Sequence, residues 1–348
     1  MSFPQEKRYM TTKKSDRPRK AAKPVGPRLV TACIEGSPAQ STLANPRRLE
    51  FLVDLCQEIN TKWGKLDALV LPGGFLRLGD TVGPLTYEQR VERLEAAGFM
   101  QALRDAVRSL SNSPGALIVF GVDGPGYPNG DIGDQMCVAA NGHGAIMGIG
   151  RKIFPVPGYE ANNMLCYDAD FGEAHRMVAL NGDRKAVLCA CYDMFGVGER
   201  GDPRGARGRA IRWIGSDADQ MERGDKGFAE RLGQNLAAFR GRLSGVQVGI
   251  AAIHRFEGHS TGFWQRHGIA TCSAGLNRGF AVGAAHFSEL PKKLDASTLA
   301  AAGVSNRHIN QGQRREAHSW EPRDGFRTES NNVTALVRLF HLAVSENV

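Results

Sequence analysis

The sequence predicts a layered α/β fold, and three observations carry that prediction. Strand-like apolar runs alternate with helical patterns through the first third of the chain, in the order strand, helix, strand, helix, strand. That rhythm is the mark of βαβ units. Further on, residues 185–193 (KAVLCACYD) are a short apolar run closed by Asp193 and followed by the glycine-containing turn 194–198. Such a run reads as a parallel strand buried on both faces. Two late runs, 245–254 and 279–287, repeat the pattern, and each carries a histidine at or near its end, His254 and His286.

Taken in order, residues 28–33 are the first expected strand. Asn45 followed by Pro46 is a helix start, an N-cap with proline in the first turn. Leu49, Leu52, Val53, Cys56 and Ile59 follow at helical spacing, and Gly64 closes the element. Residues 66–71 are the second strand, 87–110 a helix broken or bent near Gly98, and 116–120 the third strand, leading into a turn at Asp123. The apolar runs 136–140 and 145–147 flank Asn141-Gly142, a strong hairpin signal. The closely spaced glycines at 142, 144, 148 and 150 do not make a dinucleotide loop, because no helical pattern follows them. Residues 228–243 carry Leu232, Leu236, Phe239 and Leu243 at helical spacing, and a shorter helical segment covers 261–274. A linker rich in Pro, Asp and Arg then leads to a helix expected over 332–343.

The charge is unevenly placed. Residues 1–28 hold nine Lys/Arg and two Asp/Glu, so all but one of the formal net charge of +8 belong to that segment. With Pro18, Pro24 and Pro27 it reads as a disordered, solubilising tail whose reach for partners is non-specific polyanion contact. This locates the basicity away from the globular part and argues against a nucleic-acid-binding domain. No run approaches the roughly 20 apolar residues that cross a bilayer, so no membrane association is expected. The N-terminus has no apolar segment of the kind a secretory signal needs. Seven cysteines without framework spacing point to a reducing, cytoplasmic setting.

Cys191 is the most informative residue. It stands where a buried parallel strand ends, and open α/β sheets hold their reactive groups past the carboxyl ends of such strands. Cys33, Cys56, Cys137, Cys166 and Cys189 fit the ordinary role of a small buried hydrophobe. Lys152 lies beside the apolar stretch 153–157, and a lysine near a thiol favours the thiolate and can hold an oxyanion. Together these two residues suggest covalent catalysis at a cysteine. His254 and His286 read either as residues of the active-site mouth, in contact with substrate, or as rim and core histidines satisfied by hydrogen bonds. The five arginines of 200–212 read as a solvated loop or as an anion-recognising lip. No metal-ligand motif occurs, and neither a metal nor a cofactor is expected.

The segments RKIFPVPGYE (151–160) and VLCACYDMF (187–195) resemble the lysine and cysteine signatures of the nitrilase, or carbon–nitrogen hydrolase, superfamily, and LDALVLPGGFL (66–76) resembles that family's strand ending in Pro-Glu. The resemblance covers about residues 29–290, which it makes the hydrolase domain; residues 1–28 are then the tail and 291–348 a C-terminal extension with an interface helix. It implies a four-layer α-β-β-α sandwich, a homo-oligomer, a Glu-Lys-Cys triad and cleavage of non-peptide C–N bonds. Here the position after Pro72 is Gly73, not Glu. Glu35, Asp123 and Glu160 are the carboxylates that could replace that base, or Gly73 and Gly74 leave room for a bulkier ligand. Glu160 stands eight residues after Lys152, as a further glutamate does in aliphatic-amidase branches, and is expected to be catalytic with Cys191 and Lys152. The Cys-Tyr-Asp version of the motif implies an amide or ureido substrate rather than a nitrile, with Tyr192 in contact with it. The other reading is a protein that kept the fold for binding or scaffolding after losing its base.

Overall fold

Strand β1 (Arg28–Glu35) lies at the centre of a large sheet that folds back on itself. The computed structural model describes residues 27–79, 85–124, 133–156, 165–166, 168–180, 184–197, 212–213, 226–255, 264–276, 279–302, 318–319 and 321–342. After β1 come α1 (Asn45–Trp63), β2 (Ala68–Val70), β3 (Leu76–Arg77), α2 (Tyr87–Ala96), α3 (Phe99–Ser109) and β4 (Leu117–Asp123). Then follow β5 (Gln135–Ala140), β6 (Ile146–Arg151), β7 (Leu165–Cys166), α4 (Asp168–Gly172), β8 (Met177–Ala179), β9 (Lys185–Ala190) and α5 (Asp193–Val197). Next are β10 (Arg212–Trp213), α6 (Lys226–Arg242), β11 (Val246–Arg255), a π-helical turn (Trp264–Ile269) and α7 (Ala270–Gly275). The chain continues through β12 (Phe280–Phe287), β13 (Ala300–Ala302), β14 (His318–Ser319), β15 (Asp324–Ser330) and β16 (Val333–His341).

The main sheet runs β6-β5-β4-β2-β1-β12-β11-β9-β8. From β4 to β9 the neighbours along this path are parallel, and β5 and β8 are antiparallel additions at the two ends. Side-chain alternation then assigns each face. On β4, Ile118, Phe120 and Val122 join α1 and α3 in one apolar cluster. On β9 and β11, Val187, Cys189, Ala251 and Ile253 join α5, α6 and α7 in another. The opposite faces, Leu117 and Val119 against Leu188, Ile250 and Ala252, meet in a third. Helix, half-sheet, half-sheet, helix is the four-layer α-β-β-α sandwich expected above. Strands buried on both faces read as unbroken apolar runs, and each fully buried Leu, Ile or Phe stabilises the fold by about 1.5–3 kcal/mol.

The expected break at Gly98 is there: Gly98 adopts φ 77° between α2 and α3, a left-handed conformation that glycine reaches without a Cβ clash. Thr86 and Gln89 close a capping box at the start of α2. The helix expected over 332–343 is instead β16, paired antiparallel with both β15 and β1. Its β-branched Val333, Thr334 and Val337 suit a strand. A two-residue turn, Asn331 at φ 51° and Asn332 at φ 56°, connects β15 to β16, which is the geometry of a tight hairpin. Asn332→Val is expected to destabilise the protein by about 1–2 kcal/mol in urea unfolding and Asn332→Gly not at all. No helix among the described residues is long and apolar enough to cross a membrane. The tail through residue 26, Glu160 and residues 200–211 lie outside the described residues.

Candidate active site

The parallel strands bring their carboxyl ends to one edge of the sandwich. Asp123 ends β4, Gly73 follows β2, Cys191 follows β9, His254 lies next to last on β11, and His286 is near the end of β12. Strand β6 is antiparallel to β5, which is antiparallel to β4, so β6 delivers Lys152 to the same edge.

Cys191 departs from ordinary strand geometry. Strand β9 stops at Ala190, and Cys191 takes φ 48°, a left-handed conformation that costs a non-glycine residue about 1–2 kcal/mol. Its N–H donates to the Ala252 carbonyl at 2.8 Å, continuing the β9–β11 pairing by one step. The left-handed turn begins at Cys191 while its backbone stays tied to β11. Strain of this kind concentrates where a side chain must be held for chemistry.

Lys152 is buried, with 2% exposure, and its Nζ donates to Gln135 Oε1 at 2.9 Å. Two constructions hold it. Asp193, two residues past Cys191, accepts hydrogen bonds from the N–H groups of Ile153 and Phe154 at 2.8 and 3.0 Å, and from Arg176 at 2.7 Å. The lysine segment and the cysteine turn are thereby fastened to each other. On the other side of Lys152, Arg151 belongs to a closed ring of four buried charges. Arg90 and Arg151 each bind both Asp134 and Asp170, over 2.6–3.1 Å, with no side chain more than 5% exposed.

His254 and Asp123 meet across the sandwich. His254 Nε2 lies 2.6 Å from Asp123 Oδ1, and the side chains are 16% and 14% exposed. Each continues the inner-face alternation of its strand, Asp123 after Leu117 and Val119, His254 after Ile250 and Ala252. A register shift between Ile253 and Arg255 leaves His254 unpaired with β12, and bulges commonly re-aim a side chain beside a site. Burial disfavours a charged imidazole, but the charge and hydrogen bond of Asp123 outweigh it, with the thiol of Cys191 adding a hydrogen bond and charge, so the His254 pKa rises to about 10.

Gly73 explains itself in this setting. A Cβ there would stand 2.7 Å from both the backbone N and the Nδ1 of His254, and 2.9 Å from the Ala252 carbonyl. Its N–H donates to the Ile253 carbonyl at 3.0 Å, so it cannot retreat from β11 without losing that bond. The room expected for a bulkier ligand is therefore absent: His254 fills the space beside Gly73, and a Cβ on Gly74 would meet Asp123 at 2.7 Å.

The remaining expected residues fall as follows. Tyr192 is buried and stacked on Phe195 at 4.2 Å between ring centroids. His286 is fully buried; burial, then the charges of Arg48 and His254, push its pKa well down and keep it neutral. Glu35 is exposed at the end of β1. Cys33, Cys56, Cys137 and Cys189 are buried free thiols; burial pushes the first three up, Cys137 to about 12. Cys189 is raised by its hydrogen bond with Cys272 and by burial. Reading the sequence missed the His254–Asp123 pair. Its signal was the shared inner-face parity of two residues at carboxyl strand ends.

No family model matches the chain, and no curated protein matches it by sequence. Among solved structures it is similar to an amidase from Nesterenkonia sp., at 14% identity over 91% of this chain and 90% of that one, with a TM-score of 0.46. It is also similar to a mutant of the Nesterenkonia AN1 amidase from the nitrilase superfamily, at 15% identity, 90% and 92% coverage and a TM-score of 0.45. A further similar structure is a mutant of that amidase in complex with butyramide, at 15% identity, 91% coverage of each chain and a TM-score of 0.45.

Proposed function

We propose that the protein is a nitrilase-superfamily hydrolase that cleaves the C–N bond of a small linear amide or ureido substrate through a cysteine thioester. The observation that carries this reading is Cys191 at φ 48° one residue past a buried parallel strand, with Asp193 fastening the Lys152 segment to the same turn. Cys191 Sγ attacks the carbonyl carbon, and Lys152 Nζ with the Tyr192 N–H holds the oxyanion. The C–N bond breaks, the amine leaves with a proton, and water releases the acid from the thioester. The second reading, a binding protein that kept the fold, is favoured by one observation: Gly73 stands where the resemblance places the catalytic glutamate.

Ammonia release from a panel of small amides and ureido acids separates the two, together with mass mapping of acyl adducts. Turnover is expected, with the adduct on Cys191, and Cys191→Ala is expected to lower it by about 10⁴-fold or more. A panel that yields neither ammonia nor adduct, with iodoacetamide labelling Cys33 or Cys272 in preference to Cys191, overturns the hydrolase reading and leaves the binding protein.

A further inference from the structure

We propose that His254, held by Asp123, is the general base and acid of this site and replaces the glutamate that Gly73 lacks. The inference rests on Cys191 being the nucleophile. It assigns a catalytic role to His254 and a positioning role to Asp123.

Four independent observations converge on it. The bulge in β11 takes His254 out of its pairing with β12. Asp123 binds Nε2 at 2.6 Å from the opposite half-sheet. This fixes the ring's orientation and leaves Nδ1 as the second nitrogen. Nδ1 is buried and has no hydrogen-bond partner of ordinary geometry among the described residues. Finally, a side chain at position 73 would strike Nδ1, and glycine there keeps that nitrogen open. The absence of the glutamate and the presence of the imidazole are thus one structural fact: the two cannot share the space.

The ring also lies where the thiol is. The N–H groups of Cys191 and Gly73 donate to the adjacent carbonyls of Ala252 and Ile253, so both segments are tied to β11 immediately before His254. The thiol is one of the groups whose hydrogen bond and charge act on the imidazole. Of the remaining candidates for a base, Glu35 is exposed.

The proton path balances without any other reactant. His254 Nδ1 takes the proton of Cys191 Sγ, giving an imidazolium that Asp123 stabilises through Nε2–H. The thiolate forms the C–S bond at the substrate carbonyl. As the C–N bond breaks, the imidazolium returns its proton to the departing nitrogen. The neutral imidazole then takes a proton from the attacking water, the C–S bond breaks, and acid and thiolate remain beside an imidazolium ready for the next substrate. The groups facing the ring are Asp123 from β4, the Cys191 thiol after β9 and His286 from β12, with the charge of Arg48 on α1 acting on both Asp123 and His286. His286 is kept neutral, so Asp123 is the one facing carboxylate among these groups and the imidazolium persists through neutral pH.

The test compares the full-length protein with His254→Gln and Asp123→Asn, after circular dichroism has shown that each variant is folded. Two quantities are followed against pH: amide turnover, and the rate at which iodoacetamide labels Cys191. Wild-type labelling is expected to be fast and flat through neutral pH. In His254→Gln it should rise only towards an ordinary thiol pKa of about 8.5, and turnover should fall by about 10²–10⁴-fold. Asp123→Asn should keep a reactive thiol but move the profile towards the ordinary imidazole value of about 6.5, a displacement that a merely structural role would not produce. Fast Cys191 labelling with profiles identical in all three proteins overturns the inference while the hydrolase reading stands. A wild-type Cys191 that neither labels nor acylates defeats the hydrolase reading itself. Should either variant not fold, the wild-type imidazole is read by NMR. A His254 ring that titrates near about 6.5 overturns the pairing, and one that stays protonated well above neutrality supports it.

Discussion

Gly73→Ala is expected to lower amide turnover by at least about 10²-fold, because a single methyl group displaces the base. The new Cβ would stand 2.7 Å from His254 Nδ1 and from its backbone N, closer than carbon and nitrogen tolerate. The backbone around it is equally crowded. A Cβ on Gly121 would lie 2.3 Å from Gly73 Cα, and Gly121 itself donates to the Pro72 carbonyl at 2.9 Å. The backbone must therefore shift at Gly73 or at β11, and the imidazole is turned away from Asp123 or away from Cys191. Overpacking of this kind costs about 1–3 kcal/mol of stability, small beside the loss of a correctly aimed base. Gly73→Glu follows the same logic. It restores the residue that the resemblance places there, yet its side chain enters space occupied by His254, and it is expected to lose activity rather than gain it. Turnover and thermal midpoint measured on both variants check this. A Gly73→Glu protein more active than wild type would show that the glutamate's place is still open, and the account of this site built on His254 would fall.

The second large effect concerns the ring of charges behind Lys152. Arg151→Met leaves Asp134 and Asp170 sharing one arginine of the ring, Arg90, with both carboxylates buried. Removing one partner from a buried ion pair costs about 3–5 kcal/mol, since the remaining charge is left without its compensation. Guanidinium unfolding measures it directly; a loss below about 1 kcal/mol would show that water reaches the ring. Lys152 is the next residue, so turnover should fall in parallel even at temperatures where the variant is folded. The pH dependence has a defined sign. Burial raises the Asp134 carboxyl, but Arg151 and Arg90 outweigh it and hold it below 3.8. Its contribution is therefore present above the unfolded value and is lost as the pH falls through the lowered native value. Acid unfolding of the wild type should be correspondingly steep, and that of Arg151→Met should begin at higher pH.

Much of this is legible in the order of the amino acids alone. The strand ends near 120, 191, 254 and 287 follow from apolar runs bounded by turn residues, and the halt of a buried strand at Cys191 marks the thiol among seven cysteines. The break at Gly98 follows from a glycine's freedom in an otherwise helical pattern. Strand β16 reads wrongly as a helix because Leu336, Leu339 and Phe340 fall at spacings that suit a helix as well as a sheet. Asn331-Asn332, a hairpin turn by its backbone, carries no glycine to announce itself.

What the sequence by itself determined is therefore the inventory: alternating elements, a cysteine at a strand end, a lysine beside an apolar stretch, and a glycine after Pro72. What only the tertiary structure decided is the pairing. Asp123 and His254 are 131 residues apart and belong to opposite half-sheets. Whether their side chains meet depends on how the single sheet folds over onto itself and on one bulge in β11. Local patterns report which face of a strand a residue occupies. They do not report what faces it across about 10 Å of sheet packing, and that distance is where His254 meets Asp123.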